Sequence, residues 1–233
     1  MRNRNLCLIL LIATLAIPII SCKKEQTQKS AVNEGFIEYR LEFQGDSLKQ
    51  GIAQFLPKKM KLYFKDNNTR NTLSDLAGMV EFTHIKHHEK GTYTTLVDVF
   101  NNQYKYVEQN QGTSIFFRSR PDLKMEPTGD SIEIAGYNCR KIMVTYTNDH
   151  QREENFPIYV TRQIDIEGFT DSTPYQGIDG VLLEFQLEIY QMPVKMTATR
   201  VVSRKISSRD FKIPAGYKKV NKQTMQKIIR LLK

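Results

Sequence analysis

The sequence predicts a mainly β chain of the α+β class, built on one large antiparallel sheet. Two observations lead there. Apolar and polar residues alternate with period two in segment after segment, most regularly at Val181, Leu183, Phe185, Leu187 and Ile189, with Glu184, Gln186 and Glu188 facing away. The segments are short and closely spaced, as hairpin-connected strands are, while helical spacing is rare.

In chain order, Ile37, Tyr39, Leu41 and Phe43 share one face of a first strand, with Glu38, Arg40 and Glu42 opposite. Asp46-Ser47 then reads as a helix cap; Leu48, Ile52, Phe55 and Leu56 follow at helical spacing, and Pro57 ends the run. Met60, Leu62 and Phe64 return to period two. Further strands are predicted over 80–85, over 93–100 with Asn101-Asn102 as the turn, and over 103–108, 137–147, 156–161 and 181–189. Ile115-Phe116-Phe117 is a short apolar piece. Val194, Met196, Ala198 and Val202 share a face of the last strand, and Arg200 interrupts it, at a bulge or at a cavity mouth. Such a sheet has one wet and one dry face, so the few helical segments are expected to cover the dry one. Met225, Ile228, Ile229 and Leu232 stand at i, i+3, i+4 and i+7, with Lys227 and Arg230 opposite. This is a short amphipathic helix with a basic face. It either docks on the sheet or meets a membrane surface or partner.

The N-terminus has a different character. Arg2 and Arg4 precede an apolar run from Leu6 to Ile20, which ends in Ile19-Ile20-Ser21-Cys22. A basic start, a short apolar segment and small residues make a secretory signal. A cysteine at that point resembles a bacterial lipobox, which implies cleavage before Cys22, diacylglyceryl attachment to its sulfur and acylation of palmitate type. The run is short for a membrane span, and an uncleaved N-terminal membrane helix is the alternative. Residues 23–34 are polar and aperiodic, a tether of roughly 40 Å when extended. The expected organisation is a signal peptide at 1–21, a lipidated cysteine and tether at 22–34, a sheet domain at 35–221 and the amphipathic helix at 222–233.

The formal charge is +9, and loss of Arg2 and Arg4 leaves about +7. Export argues against nucleic acid as the reason for that balance. An anionic membrane surface or another envelope protein fits it better. Of three cysteines, Cys7 leaves with the signal and Cys22 is taken by lipidation. Cys139 is then alone, without a disulfide, and reads as a small buried hydrophobe.

Candidate chemistry is sparse. His84 and His88 would lie about 13 Å apart on a strand, and His87 and His88 point to opposite faces, so no two share a zinc. They read as a solvated hairpin end. Asp165, Glu167, Asp171 and Asp179 lack calcium-loop spacing. There is no nucleophile elbow, no zinc-protease pair and no phosphate-binding glycine loop. The expectation is a non-enzymatic protein with no catalytic residues, metal or cofactor.

Four phrases carry a resemblance: Ile134-Ala135-Gly136-Tyr137-Asn138-Cys139-Arg140-Lys141, Pro174-Tyr175-Gln176-Gly177-Ile178-Asp179-Gly180, Met196-Thr197-Ala198-Thr199-Arg200-Val201 and Ile213-Pro214-Ala215-Gly216-Tyr217. In this order, over about residues 35–220, they resemble a family of Gram-negative envelope lipoproteins of unknown function. That family is similar in fold to the periplasmic lipoprotein carriers (LolA/LolB-like). The resemblance implies a curved antiparallel sheet forming an open half-barrel, its concave face covered by a few helices. It also implies a hollow able to hold lipid or a lipoprotein acyl chain. The residues expected to line it are Ile37, Tyr39, Leu41, Phe43, Leu62, Phe64, Leu183, Phe185, Leu187 and Ile189; ordinary core packing is the other role open to each. Gly177 and Gly180 are expected to set a turn braced by Asp179. The expected partners are a membrane through the lipid anchor, a lipid or acyl-chain ligand and an envelope protein, with no nucleic acid. Lys23 after the lipidated cysteine leans the location toward the outer membrane. A structural or signalling interaction module with a solid interior is the rival reading.

Overall fold

The computed structural model describes residues 31–44, 56–74, 78–109, 114–115, 117, 120, 122–148, 151–189 and 192–231. The expected signal, Cys22, most of the tether and all of the early helix before Leu56 lie outside the described residues, as do the side chain of Ile189 and Leu232.

The described residues form one sheet of twelve strands. In chain order these are β1 (Glu34–Phe43), β2 (Lys59–Lys65), β3 (Asn68–Ser74), β4 (Val80–His87), β5 (Thr92–Val99), β6 (Asn102–Gln109), β7 (Lys124–Ile134), β8 (Tyr137–Thr147), β9 (Glu153–Thr161), β10 (Val181–Ile189), β11 (Met192–Ser203) and β12 (Lys218–Lys219). A 3-10 turn (Ser208–Phe211) precedes β12, and a helix, α1 (Lys222–Leu231), follows it. Across the sheet the order is β12-β6-β5-β4-β3-β2-β1-β11-β10-β9-β8-β7, so the sheet is open, with β12 and β7 at its edges. Neighbours are antiparallel except β12, which lies parallel to β6.

Two hairpin runs meet at a seam: β1 begins the run to β6, and β11 ends the run from β7. Three two-residue turns are sharp because both residues have positive φ, the backbone that matches strand twist: Asp66-Asn67, Phe100-Asn101 and Ala135-Gly136. The turn expected at Asn101-Asn102 therefore sits one residue earlier, with Val99 paired to Asn102. Three strands that the alternation did not suggest, β3, β7 and β12, are polar in sequence; pairing with the strands beside them decides their state.

Two bulges set which residues face inward. Glu38 pairs with Arg200 and Tyr39 with Ala198, so Thr199 is the extra residue on β11. Val194, Met196 and Ala198 are buried as expected, but beyond the bulge the inner position passes to Val201, opposite Ile37, and Val202 moves to the outer face beside Phe36. Arg200 is therefore at a bulge. Its Nε and Nη2 donate to the two Glu38 oxygens, both at 3.1 Å. On β10, Leu182 pairs with Val160 and Glu184 with Tyr159, so Leu183 is extra and two consecutive leucines are both fully buried.

The main core lies on the inner face and runs the width of the sheet, from Val97 on β5 through Ile37, Phe64, Leu183 and Ile158 to Val144 on β8. Each such side chain contributes roughly 1.5–3 kcal/mol by leaving water. Among the described residues the cover over this face is helical only on the β6 side. Elsewhere it is the irregular segment 164–180, which buries Ile164, Ile166 and Tyr175. Helix α1 covers the β6 side: Met225 is fully buried, Ile228 and Ile229 are half-buried, and Lys227 and Arg230 are exposed. Asn221 caps it, its Oδ1 accepting from Thr224 N at 2.8 Å. The outer face has its own cover. Residues 204–217 cross it, and Ile206 and Phe211 pack with Ile85 and Leu96 in a second apolar cluster.

Candidate functional site

Between the inner face and segment 164–180 lies a hollow of about 60 Å³. Its apolar wall is made by Tyr39 and Met60, Leu62 and Leu73, Leu182, Phe185 and Leu187, and Met196. Its opposite end is polar, with Thr69, Asn71, His84, Lys86 and Tyr93 from β3 to β5 facing Ser172 and Thr173 of the cover. Phe117 and Phe169 close the space between.

Of the residues expected to line a hollow, the structure brings together Tyr39, Leu62, Phe185 and Leu187. Ile37, Leu41, Phe64 and Leu183 are buried in the core but do not reach this space, and Phe43 is half-buried at the end of β1. The alternation did not reveal the polar end, because hydrophobic periodicity is blind to polar side chains that face inward. Leu182 was missed because the bulge at Leu183 shifts the phase of β10.

The apolar wall is held rigidly. Tyr39 Oη donates to Leu182 O at 2.8 Å, its ring meets Phe185 edge-on at 5.7 Å, and Phe185 meets Tyr175 edge-on at 6.5 Å. Burial raises the phenol pKa of Tyr39 and of Tyr175. The Tyr175 hydroxyl donates to Gln186 O.

His84 is not at a solvated hairpin end. It is buried, stacked on Tyr93 at 5.3 Å and edge-on to Phe117 at 6.1 Å. Desolvation pulls its pKa down to about 4, so it is neutral in the folded protein near pH 7. Lys86 is a clamp. Its ammonium donates to Glu167 O and to Gly168 O, the latter at 2.8 Å, which ties the cover to β4. Burial lowers its pKa, and the nearby Asp171 and Glu167 carboxylates oppose that. Asn67 reinforces the tie, its Oδ1 accepting from Glu167 N at 2.9 Å. Among the described residues no group of three or more His, Cys, Asp or Glu side chains is placed to hold a metal ion.

Cys139 is fully buried, and desolvation pushes its thiol pKa up to about 11. That is the setting of a core residue; a nucleophile would need the opposite shift. Gly177 and Gly180 both take positive φ before β10, and Asp179 pairs with Arg162 at 2.9 Å. Among the described residues no helix is long and apolar enough to cross a membrane.

No protein-family model matches the chain, and no curated protein matches it significantly. A crystal structure of MucB aligns with 81% of this chain at 13% identity and a TM-score of 0.32. The chain spans 60% of the length of that protein, and a likeness at that level supports neither a fold family nor a function. The resemblance to envelope lipoproteins rests on the four sequence phrases alone.

Proposed function

We propose that this chain is a non-enzymatic lipoprotein of the cell envelope, anchored through Cys22 and facing the periplasm or the cell surface, whose open sheet is a half-barrel that binds a hydrophobic ligand. The observation that carries the reading is the hollow on the inner face, with an apolar wall of Tyr39, Leu62, Phe185, Leu187 and Met196 beneath the irregular segment 164–180. Burial of a ligand there is favourable at roughly 25 cal/mol per Å² of apolar area. A space of about 60 Å³ is well below the roughly 150 Å³ of an engineered cavity that takes benzene. An acyl chain therefore enters only when segment 164–180 lifts from the sheet, which opens the Lys86 clamp along with the Asn67 and Ser114 contacts.

The small volume also favours a second reading, an interaction module with a filled interior and no ligand. One experiment separates the two. The full chain is extracted from native envelopes and its bound lipids are identified by mass spectrometry, beside a Leu73→Trp variant that fills the hollow. Co-purifying acyl lipid in the wild type and its loss in the variant support ligand binding. Lipid in neither, with a stoichiometric protein crosslinked in cells, supports the module.

A further inference from the structure

The positive charge of this chain is not spread along it. Residues 200–233 hold eleven of the 34 Lys and Arg but one of the 25 Asp and Glu, so this stretch nets +10 and all the rest nets −1. The fold draws a large part of that charge into a belt on the outer face. Ile206 and Phe211 fasten the strap 204–217 over Ile85 of β4 and Leu96 of β5, and β12 then lies against β6. From β1 to β6 the belt crosses five strand spacings, roughly 24 Å.

Arg204, Lys205, Arg209, Lys212, Lys218 and Lys219 are exposed along it. Among the described residues none of the six forms an ion pair, although Arg204 stacks on Phe36 at 5.0 Å. Asp210 is the one carboxylate within the strap, and Lys205 is among the cations that lower the pKa of Glu34, but the carboxylates at the start of the belt make their ion pairs with other residues. Glu34 holds Lys65 at 3.0 Å, and Glu38 holds Lys61 at 3.0 Å and Arg200 at 3.1 Å. Near its far end, Asp98 accepts from Gln103 at 2.9 Å.

The belt also begins where the tether ends. Gly35 pairs with Ser203, and Glu34 Oε1 accepts from Ile206 N at 2.5 Å. Val32 of the tether is itself held against Ile164 of the cover, so a tether fixed in a bilayer at its other end has residues 23–31, roughly 30 Å when extended, to hold the molecule near the surface. A field of unpaired cations is drawn to an anionic headgroup layer over about one Debye length, 8–10 Å. We infer that the outer belt is a membrane-docking face that binds anionic phospholipid headgroups and lays the sheet against the bilayer, leaving the inner hollow and its cover open to the periplasmic or outer medium. The inference rests on the membrane-anchored reading and says which face of the anchored protein meets the lipid.

Lysine footprinting on vesicles tests it. The full chain is reconstituted into phosphatidylcholine vesicles with or without about one-third phosphatidylglycerol, then acetylated by a membrane-impermeant ester and mapped by mass spectrometry. The expected result is about threefold or greater protection of Lys205, Lys212, Lys218 and Lys219 on the anionic vesicles, reversed by roughly 1 M salt, with Lys124 on the edge strand β7 unchanged. Arg204→Gln with Arg209→Gln should weaken the protection of the four lysines. Equal footprints on the two vesicle types overturn the docking face while leaving the anchor intact. A chain that floats only with anionic vesicles removes the anchor and keeps the belt; one that floats with neither removes both. Protection by a single-stranded oligonucleotide and none by vesicles also overturns the proposal.

Discussion

His84 shows how a single side chain carries a pH dependence into the fold. Burial holds it neutral with a pKa of about 4, whereas in the unfolded chain it titrates near the ordinary histidine value of about 6.5. The folded pKa is depressed, so its contribution is fully present above pH 6.5 and is lost as pH falls toward 4. Between those values the unfolded chain binds the extra proton, and stability drops by roughly 3 kcal/mol. Urea denaturation from pH 7 to pH 4 should show this slope, and His84→Gln should flatten it; an unchanged slope in the variant would remove the assignment. Gly180 makes a second test at this scale. Its φ is +119°, and an added Cβ would meet Thr161 O at 2.6 Å, so Gly180→Ala should cost about 1–3 kcal/mol or more in thermal or urea melts. The glycine turn was legible in the sequence from its place before the strongest strand. The environment of His84 was not, because its inward direction depends on Phe117 and the cover meeting it from remote parts of the chain.

Elements extend the same logic to whole segments. The cover 164–180 is tied by a short backbone bridge at its start, where Asp165 N donates to Val32 O at 2.9 Å, by Ser114 N on Ser172 O at 2.9 Å, and by side chains: Lys86 on Glu167 O and Gly168 O, Asn67 on Glu167 N, and Thr170 Oγ1 on Ile178 O at 2.9 Å. Lys86→Met removes the donor from two carbonyls and should cost about 1–3 kcal/mol. Its distinguishing sign is local. Hydrogen exchange should quicken in 167–173 before it quickens in β4, and uptake of an apolar dye should rise as the hollow opens. At the other edge α1 depends on Met225, which is fully buried in the main core. Met225→Ala should cost about 2–5 kcal/mol, with exchange rising over 220–231. The amphipathic spacing announced this helix, and its apolar stripe does dock on the sheet. Period-two alternation misplaced Val202 and passed over Leu182, since a bulge adds one residue and puts the positions on its two sides out of phase. The polar strand β3 gave no alternation at all, and β2 and β4 on its two sides supply what its own sequence lacks.

At the scale of the whole molecule the seam between β1 and β11 decides how the sheet holds together. The first strand of the fold pairs on one side with β2 and on the other with the last long strand, from Gly35 against Ser203 to Phe43 against Val194. No periodicity in either strand records that pairing, which is why the strand order was not legible although most strands were. The seam divides the sheet into a β1–β6 half and a β7–β11 half, yet the core crosses it without a break: Tyr39 on β1 bonds Leu182 on β10, and Ile37, Phe64, Leu183 and Ile158 belong to one cluster. A boundary crossed by continuous apolar packing does not open alone, because opening would expose both sides to water. The two halves should therefore unfold together. Cys139, fully buried on β8, reports on the second half through its reaction with a thiol reagent, and protection of β4 and β5 amides reports on the first. In a urea series the two midpoints should coincide, and Ala198→Asp, which places a carboxylate in the seam, should lower both equally. Two separate midpoints, or a variant that exposes Cys139 while β4 and β5 stay protected, would show two independent units and end the description of this sheet as held by one main core across the seam.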